Sequence, residues 1–221
     1  MGTIVLAAFL AAAPALQTAR DQQDRAALQK LVDESLAAAQ RAPKDADAQY
    51  RAALASSYLA EVALELRDKK LAEQAAVRGV KAAEQAIALK PEMAEYYRVL
   101  GTLCGQVVPA NLITGLSYGK RAKDAIDKAV ALDPKSPAAY MARGVGNYYL
   151  PAALGGGLDL AIADFQKSVA LDPKDADAWL WLGIALRKQN KNADARAAFS
   201  KAVELNPKRV WAKEQLDKTP Q

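Results

Sequence analysis

The chain has no histidine and a single cysteine, Cys104. Without imidazole it lacks the commonest general base, the commonest zinc ligand and the usual activator of a Ser or Cys nucleophile. One thiol excludes an intrachain disulfide and leaves any transition-metal site to carboxylates alone. A phosphate loop is missing too. The nearest segment, Gly115-Leu-Ser-Tyr-Gly119-Lys120-Arg121, has the wrong glycine spacing, no Ser or Thr after the lysine and no preceding strand. The acidic pair Asp159 and Asp164 falls on an amphipathic helical pattern and reads as solvated. Neither an enzyme nor a bound cofactor or metal is expected.

Long apolar runs are almost lacking. The exception is an uncharged stretch of 13 residues from Ile4 to Leu16, too short to span a bilayer but suited to the h-region of a secretory signal. Ala13-Pro14-Ala15 supplies a small-x-small cleavage site, although no Lys or Arg precedes the stretch. Residues 1–15 are therefore expected to be a signal peptide and residues 16–221 a single exported, periplasmic domain. Once the signal is removed, no stable membrane insertion is expected. The alternative is a cytoplasmic chain whose apolar start is an uncleaved helix capping the first repeat.

Charge of one sign is not concentrated anywhere. The 30 Lys and Arg and 25 Asp and Glu give a net charge of +5, but the two signs alternate along segments such as RDQQDR and KRAKDAIDK. A nucleic-acid footprint needs a clustered basic stripe, so no nucleic-acid partner is expected. Aromatic residues make up only 6% while alanine is abundant, a balance suited to closely stacked helices.

What the chain does have is a ladder of prolines. Pro43, Pro91, Pro134, Pro173 and Pro207 each end a similar phrase: AAAQRAP, AIALKP, AVALDP, SVALDP, AVELNP. Six residues after each of the first four lies the first anchor of a new helix, at Gln49, Tyr97, Tyr140 and Trp179. Self-similarity at this spacing marks a stacked repeat array. Proline stops each second helix because it lacks an N–H and clashes with the preceding turn.

In the last full unit, Trp179, Leu182, Gly183 and Leu186 are followed by Ala195, Phe199, Ala202 and Pro207. This order resembles the tetratricopeptide repeat, whose pattern is W-x2-L-G-x2-Y…A-x3-F…P over 34 residues. The third unit keeps Tyr140, Gly144, Ala161, Phe165 and Pro173, and the second keeps Tyr97, Leu100, Gly101, Ala122, Ala129 and Pro134. The first is degenerate, with Gln49 and Ala53 in place of the aromatic and the glycine. The resemblance implies an all-α, right-handed α-solenoid of stacked helical hairpins. Four repeats are placed at roughly 46–91, 94–134, 137–173 and 176–207, between N-terminal and C-terminal capping helices. Residues 18–42 read as an unpaired N-terminal helix, and RVWAKEQLDK after Pro207 as a C-terminal cap with Trp211 inward.

The anchors are 48 residues apart (49 to 97), then 43 (97 to 140), then 39 (140 to 179). Since the step from proline to anchor is constant, every extra residue lies inside a hairpin, on one edge of the stack. In the first unit the excess reads as longer helices around a short RDKK turn. In the second it reads as a loop, VVPANLITGLSYG, and in the third as LPAALGGG at 150–157, with Gly155, Gly156 and Gly157 permitting positive φ.

In the tetratricopeptide family the first helix of each hairpin lines a concave groove. Carried onto this chain, the groove positions include Tyr50, Leu54 and Tyr58; Arg98 and Thr102; Met141, Val145, Tyr148 and Tyr149; and Leu180, Ile184, Arg187 and Lys188. The family's carboxylate-clamping grooves use Lys, Asn and Arg, whereas this one is rich in tyrosine and aliphatic residues. A protein or peptide partner is expected, an apolar or amphipathic segment seated in the groove, unless the chain's own inserts fill it. The LPAALGGG phrase also resembles periplasmic tetratricopeptide proteins associated with TRAP transporters. That likeness implies, as one alternative, an apolar small ligand; a separate alternative is a structural subunit whose groove is filled by a neighbouring copy in a homo-oligomer. Cys104 falls on a core-facing position and reads as a buried structural thiol.

Overall fold

The computed structural model describes residues 14–110 and 112–221. Most of the expected signal peptide, residues 1–13, lies outside the described part. Among the described residues, eleven α-helices run in chain order: α1 (residues 14–21), α2 (Arg25–Arg41), α3 (Ala46–Glu65), α4 (Lys69–Leu89), α5 (Ala94–Val107), α6 (Leu112–Leu132), α7 (Pro137–Tyr149), α8 (Leu158–Leu171), α9 (Ala176–Lys188), α10 (Asn192–Leu205) and α11 (Val210–Asp217). From α2 onward, each packs against its neighbour in sequence, as in an α-solenoid.

The prolines act where the repeat places them. A residue before proline is pushed out of the α region. Accordingly Ala42, Lys90, Asp172 and Asn206 end their helices at φ between −125° and −141° with ψ between 65° and 92°. The next helix commonly starts on a side-chain cap. The identical hexapeptides 43–48 and 173–178 build identical starts: Asp45 accepts from the backbone N–H of Asp47 and Ala48, and Asp175 from those of Asp177 and Ala178. Ser136 caps α7, with Pro137 in the first turn where its missing N–H is harmless.

Within hairpins, three turns share one geometry. Gln23, Arg67 and Asn190 take positive φ of 56°, 63° and 62°. The N–H groups of Asp24, Asp68 and Lys191 reach back to the carbonyls of Ala19, Ala63 and Leu186 at 2.7–3.0 Å. Both features mark a left-handed helix stop. Residues 18–42 are therefore not one unpaired helix. They break at Gln22–Gln23, and α1 and α2 form a hairpin with the same turn as α3–α4 and α9–α10. Asp24 caps α2 by accepting from the N–H of Ala27.

The inserts behave differently from one another. In the first unit both helices are lengthened, to 20 and 21 residues. In the second, the expected loop is mostly helix: a 3-10 turn at Val108–Ala110 takes Pro109, and α6 begins at Leu112. In the third, a 3-10 turn at Ala152–Leu154 is closed by Gly155 and Gly157, at φ 85° and 116°.

Two large apolar clusters, with a small third one around Ala46, Ala86 and Tyr96, hold the array among the described residues. One runs through α1–α5, from Leu16 and Leu28 to Leu103 and the fully buried Cys104, whose thiol is pushed up to about 11 by burial. The other joins α8–α11 around Phe165, Phe199, Leu180 and Ala202. Small residues set the helix spacing. A Cβ on Gly144 or Gly183 would stand 2.6 Å from the ring of Phe165 or Phe199, while one on Gly146, on the exposed side of α7, would meet nothing within 4 Å. Gly183→Ala is therefore expected to destabilise the fold by about 1–3 kcal/mol through overpacking. Gly146→Ala is expected to stabilise it by up to about 1 kcal/mol through helix propensity. Urea unfolding of the two variants beside the parent checks both signs.

Candidate functional site

The solenoid carries a buried group of six charges drawn from four distant segments. Arg209 stands at the start of α11, immediately after the Pro207-Lys208 step, and is only 1% exposed. It pairs with Glu61 at 2.7 Å, with Glu65 beside it, and with Asp177 at 3.3 Å. Arg20, on α1, donates from Nη1 to Asp177 at 2.6 Å and lies 3.8 Å from Glu61. Its Nε and Nη2 hold Asp21 at 3.0 and 2.6 Å. Asp21 also accepts from the amide of Asn206 at 2.8 Å, and Gln23 donates to Glu65 at 2.9 Å. The Arg20 guanidinium sits over the ring of Tyr58, 5.1 Å from its centre.

These contacts bring the first described hairpin, α3 and elements of the last repeat and cap to one place. An open hollow of about 420 Å³ adjoins them, lined by Gln17, Asp21, Asp172, Asp175, Asp177 and Asn206 among others. Four carboxylates share two guanidiniums, so the group carries an excess of two negative charges when all are ionised. Glu61 feels this most: burial, only partly offset by Arg20 and Arg209, pushes its carboxyl up to about 7. Asp177, held between the two guanidiniums, is shifted the other way, below the usual carboxylate value.

The expected groove residues fare unequally. Leu180 and Ile184, placed by the family pattern on the groove surface, are buried at 0% and 6% exposure in the α8–α11 cluster, against which Met141, Val145 and Tyr148 also pack. Their exposure is corrected: paired helices close over positions that a more open array leaves bare. Tyr50 stacks on Tyr96 at 5.2 Å and donates to Glu95 at 2.9 Å. Arg98 grips the same Glu95 at 2.6 and 2.7 Å, and the Thr102 hydroxyl donates to the Arg98 carbonyl. Leu54 and Tyr58 pack against the first cluster. Arg187 is taken up by the C-terminal cap, donating to the Gln215 carbonyl and the Thr219 hydroxyl, both at 3.1 Å.

Two groove residues stay accessible. Tyr149 is 69% exposed and Lys188 is exposed, its ammonium 4.1 Å from the centre of the Tyr148 ring. Behind Tyr149 runs an aromatic tract: Tyr149 to Tyr148 at 4.9 Å, Tyr148 to Trp181 at 6.0 Å, Trp181 to Trp211 at 5.4 Å. Asp164 departs from its reading as a solvated residue. It is buried and accepts from Arg143 at 2.6 and 3.0 Å and from Asn147 at 2.9 Å, clamping α7 to α8.

The hairpin geometry, the proline and cap spacing and the glycine–phenylalanine contacts define a tetratricopeptide-repeat protein. A tetratricopeptide model matches residues 155–210, and a second family model, regulator of microtubule dynamics protein 1-3, matches residues 9–150. The chain belongs to the latter family. Among curated proteins it is similar to human protein O-mannosyl-transferase TMTC1, 35% identical over 100 residues that make up 44% of this chain and 11% of that protein. The mouse TMTC1 is 31% identical over 131 residues, 58% of this chain and 13% of that one. The matched part is thus about a tenth of the length of these relatives. Among solved structures it is similar to TTC0263, a thermophilic TPR protein of Thermus thermophilus, with TM-score 0.61, 22% identity and coverage of 87% and 88% of the two chains. The HusA haemophore of Porphyromonas gingivalis gives TM-score 0.58, 19% identity and coverage of 76% and 86%. At these identities the structural likeness shows the fold alone.

The buried charges set a pH dependence. A carboxyl with a raised folded-state value binds its proton more tightly when folded, so its stabilising contribution is complete below the ordinary value and lost as pH rises through the folded one. For Glu61 that window runs from 4.5 to about 7. Thermal midpoints are expected to fall as pH climbs through this window, and Glu61→Gln is expected to flatten the fall. Circular dichroism melts at half-unit intervals measure both.

Proposed function

We propose that the protein is a non-catalytic scaffold that binds a protein or peptide segment at the third and fourth units. What carries the reading is the exposed Tyr149 at the mouth of the aromatic tract, with Lys188 beside Tyr148. Tyrosine offers a rigid apolar body with a polar tip, a combination enriched where proteins meet. An apolar or amphipathic segment fits such a surface, its apolar side chains against the rings and an acidic group toward Lys188. The histidine-free sequence supports a binding role over catalysis. The transferase activity in the name of TMTC1 belongs to a protein of which the matched part is 11–13%.

The reading extends to export. The apolar stretch from Ile4 to Leu16 and the Ala13-Pro14-Ala15 site support a secreted, periplasmic chain that begins near Leu16. Cleavage there leaves Arg20 and Asp21 in place. The mass of the protein recovered from the envelope fraction is expected to match a chain starting at Leu16. Recovery of the intact chain in the cytosol instead overturns export.

For the binding site, a photoreactive phenylalanine analogue in place of Tyr149 is expected to crosslink one discrete partner in an envelope extract. The same analogue at Lys120, exposed on α6 and away from the aromatic tract, is expected to give none. Identical products from both positions, or no product from Tyr149, reject the site.

A further inference from the structure

The four-segment charge group meets α1 on a receiving surface formed by α3, α9 and the residues before α11. Among the described residues of α1, one face is buried: Leu16, Ala19, Arg20 and Asp21. Only two of these are apolar, so much of the attachment of α1 rests on the polar pair. The surface that receives the pair is shaped for it. Tyr58 lies beneath the guanidinium at 5.1 Å, Asp177 accepts from one Nη at 2.6 Å, and Glu61 flanks it at 3.8 Å. Asn206 donates to Asp21 at 2.8 Å, and Arg209 Nε stands 4.0 Å from the same carboxylate. An aromatic face with carboxylates at its rim is the arrangement that selects arginine over lysine, since the planar ion both stacks and forks its hydrogen bonds.

The charge count favours a cationic occupant. Without α1, the receptor holds Glu61, Glu65 and Asp177 against the single guanidinium of Arg209. The Arg20–Asp21 pair is neutral and leaves that excess of negative charge uncorrected. A segment with an arginine and no neighbouring acid complements it better. A buried ion-pair group of this kind adds little net stability compared with apolar packing of the same volume, so an occupant that matches its charge better can compete with the resident one.

We infer that α1 is an intramolecular ligand of an arginine-reading site formed by Tyr58, Glu61 and Asp177, and that an arginine-bearing helix of another protein is the occupant that competes with it. This surface is separate from the Tyr149 tract. The two can fail independently, because one is read through α1 and the other through the third-unit helices.

The test uses the full chain and a fluorescein-labelled synthetic peptide with the sequence of residues 14–24, followed by anisotropy. Arg20→Lys and Arg20→Ala/Asp21→Ala chains, whose own occupant is weakened, are expected to bind the peptide at least about tenfold more tightly than the parent chain does. A peptide carrying Arg20→Ala is expected to show no saturable binding, and one carrying Asp21→Ala to bind more tightly than the parent peptide. Circular dichroism establishes that each variant chain is folded, and Arg20→Lys serves where the double variant is not. Hydrogen exchange of the parent chain gives a second reading: saturating peptide is expected to raise exchange across the part of α1 that follows Leu16. Binding that ignores the peptide's arginine, or equal affinity for parent and variant chains with exchange in α1 unchanged, overturns the inference.

Discussion

The guanidinium of Arg209 is the point on which the architecture closes. It is almost fully buried at the start of α11, yet its partners are Glu61 and Glu65 on α3 and Asp177 on α9. A buried arginine is tolerable only where carboxylates surround it. Its position therefore requires that the C-terminal end of α3 lie against the start of α11, with the start of α9 alongside. That requirement bends the stack until its early and late helices meet. Arg20 and Asp21 then fill the remaining valences, which draws α1 into the same place and explains why Tyr58, expected to line an open groove, is covered.

Everything else in the fold serves the spacing that makes this closure possible. Gly144 and Gly183 admit the edges of Phe165 and Phe199, so paired helices pack at short range. The prolines and side-chain caps restart each helix at a constant step, which keeps the units in register although their hairpins differ in length. The extra length is absorbed on one edge, as longer helices, a 3-10 turn and a glycine-closed turn. The aromatic tract from Trp211 to Tyr149 grows from the same packing, since Trp181 touches the second cluster on one side and the exposed tyrosine on the other.

The repeat is legible in the sequence because its signals are local. Pro at the end of a phrase, Gly opposite Phe and Asp before an alanine-rich start each impose their geometry within a few residues. The α1–α2 break is hidden because its left-handed residue is Gln23, and the matching turns use Arg67 and Asn190, none of them glycine. The helical start of α6 is masked by Pro109, Gly115 and Gly119, which read as loop punctuation but sit in and after a 3-10 turn. The charge group is not legible at all. Arg20 and Asp177 are 157 residues apart, and no periodicity marks a pair whose members belong to different kinds of segment. Arg209 resembles any basic residue after a proline, and Asp177 one more acid in a helix's first turn. Asp164 is obscure for the same reason on a smaller scale, its partners lying on the preceding helix.

Linear repeat arrays usually obey nearest-neighbour thermodynamics, each unit feeling only those beside it. The contacts of Asp21 with Asn206, 185 residues apart, and of Glu65 with Arg209 remove that independence. The early hairpins carry Glu61 and Glu65 with Arg20 and Gln23 beside them, but the closest guanidinium to both acids is that of Arg209, from the far end of the chain. The first and last pieces of this solenoid are therefore ordered together, through side chains that no nearest-neighbour interface contains.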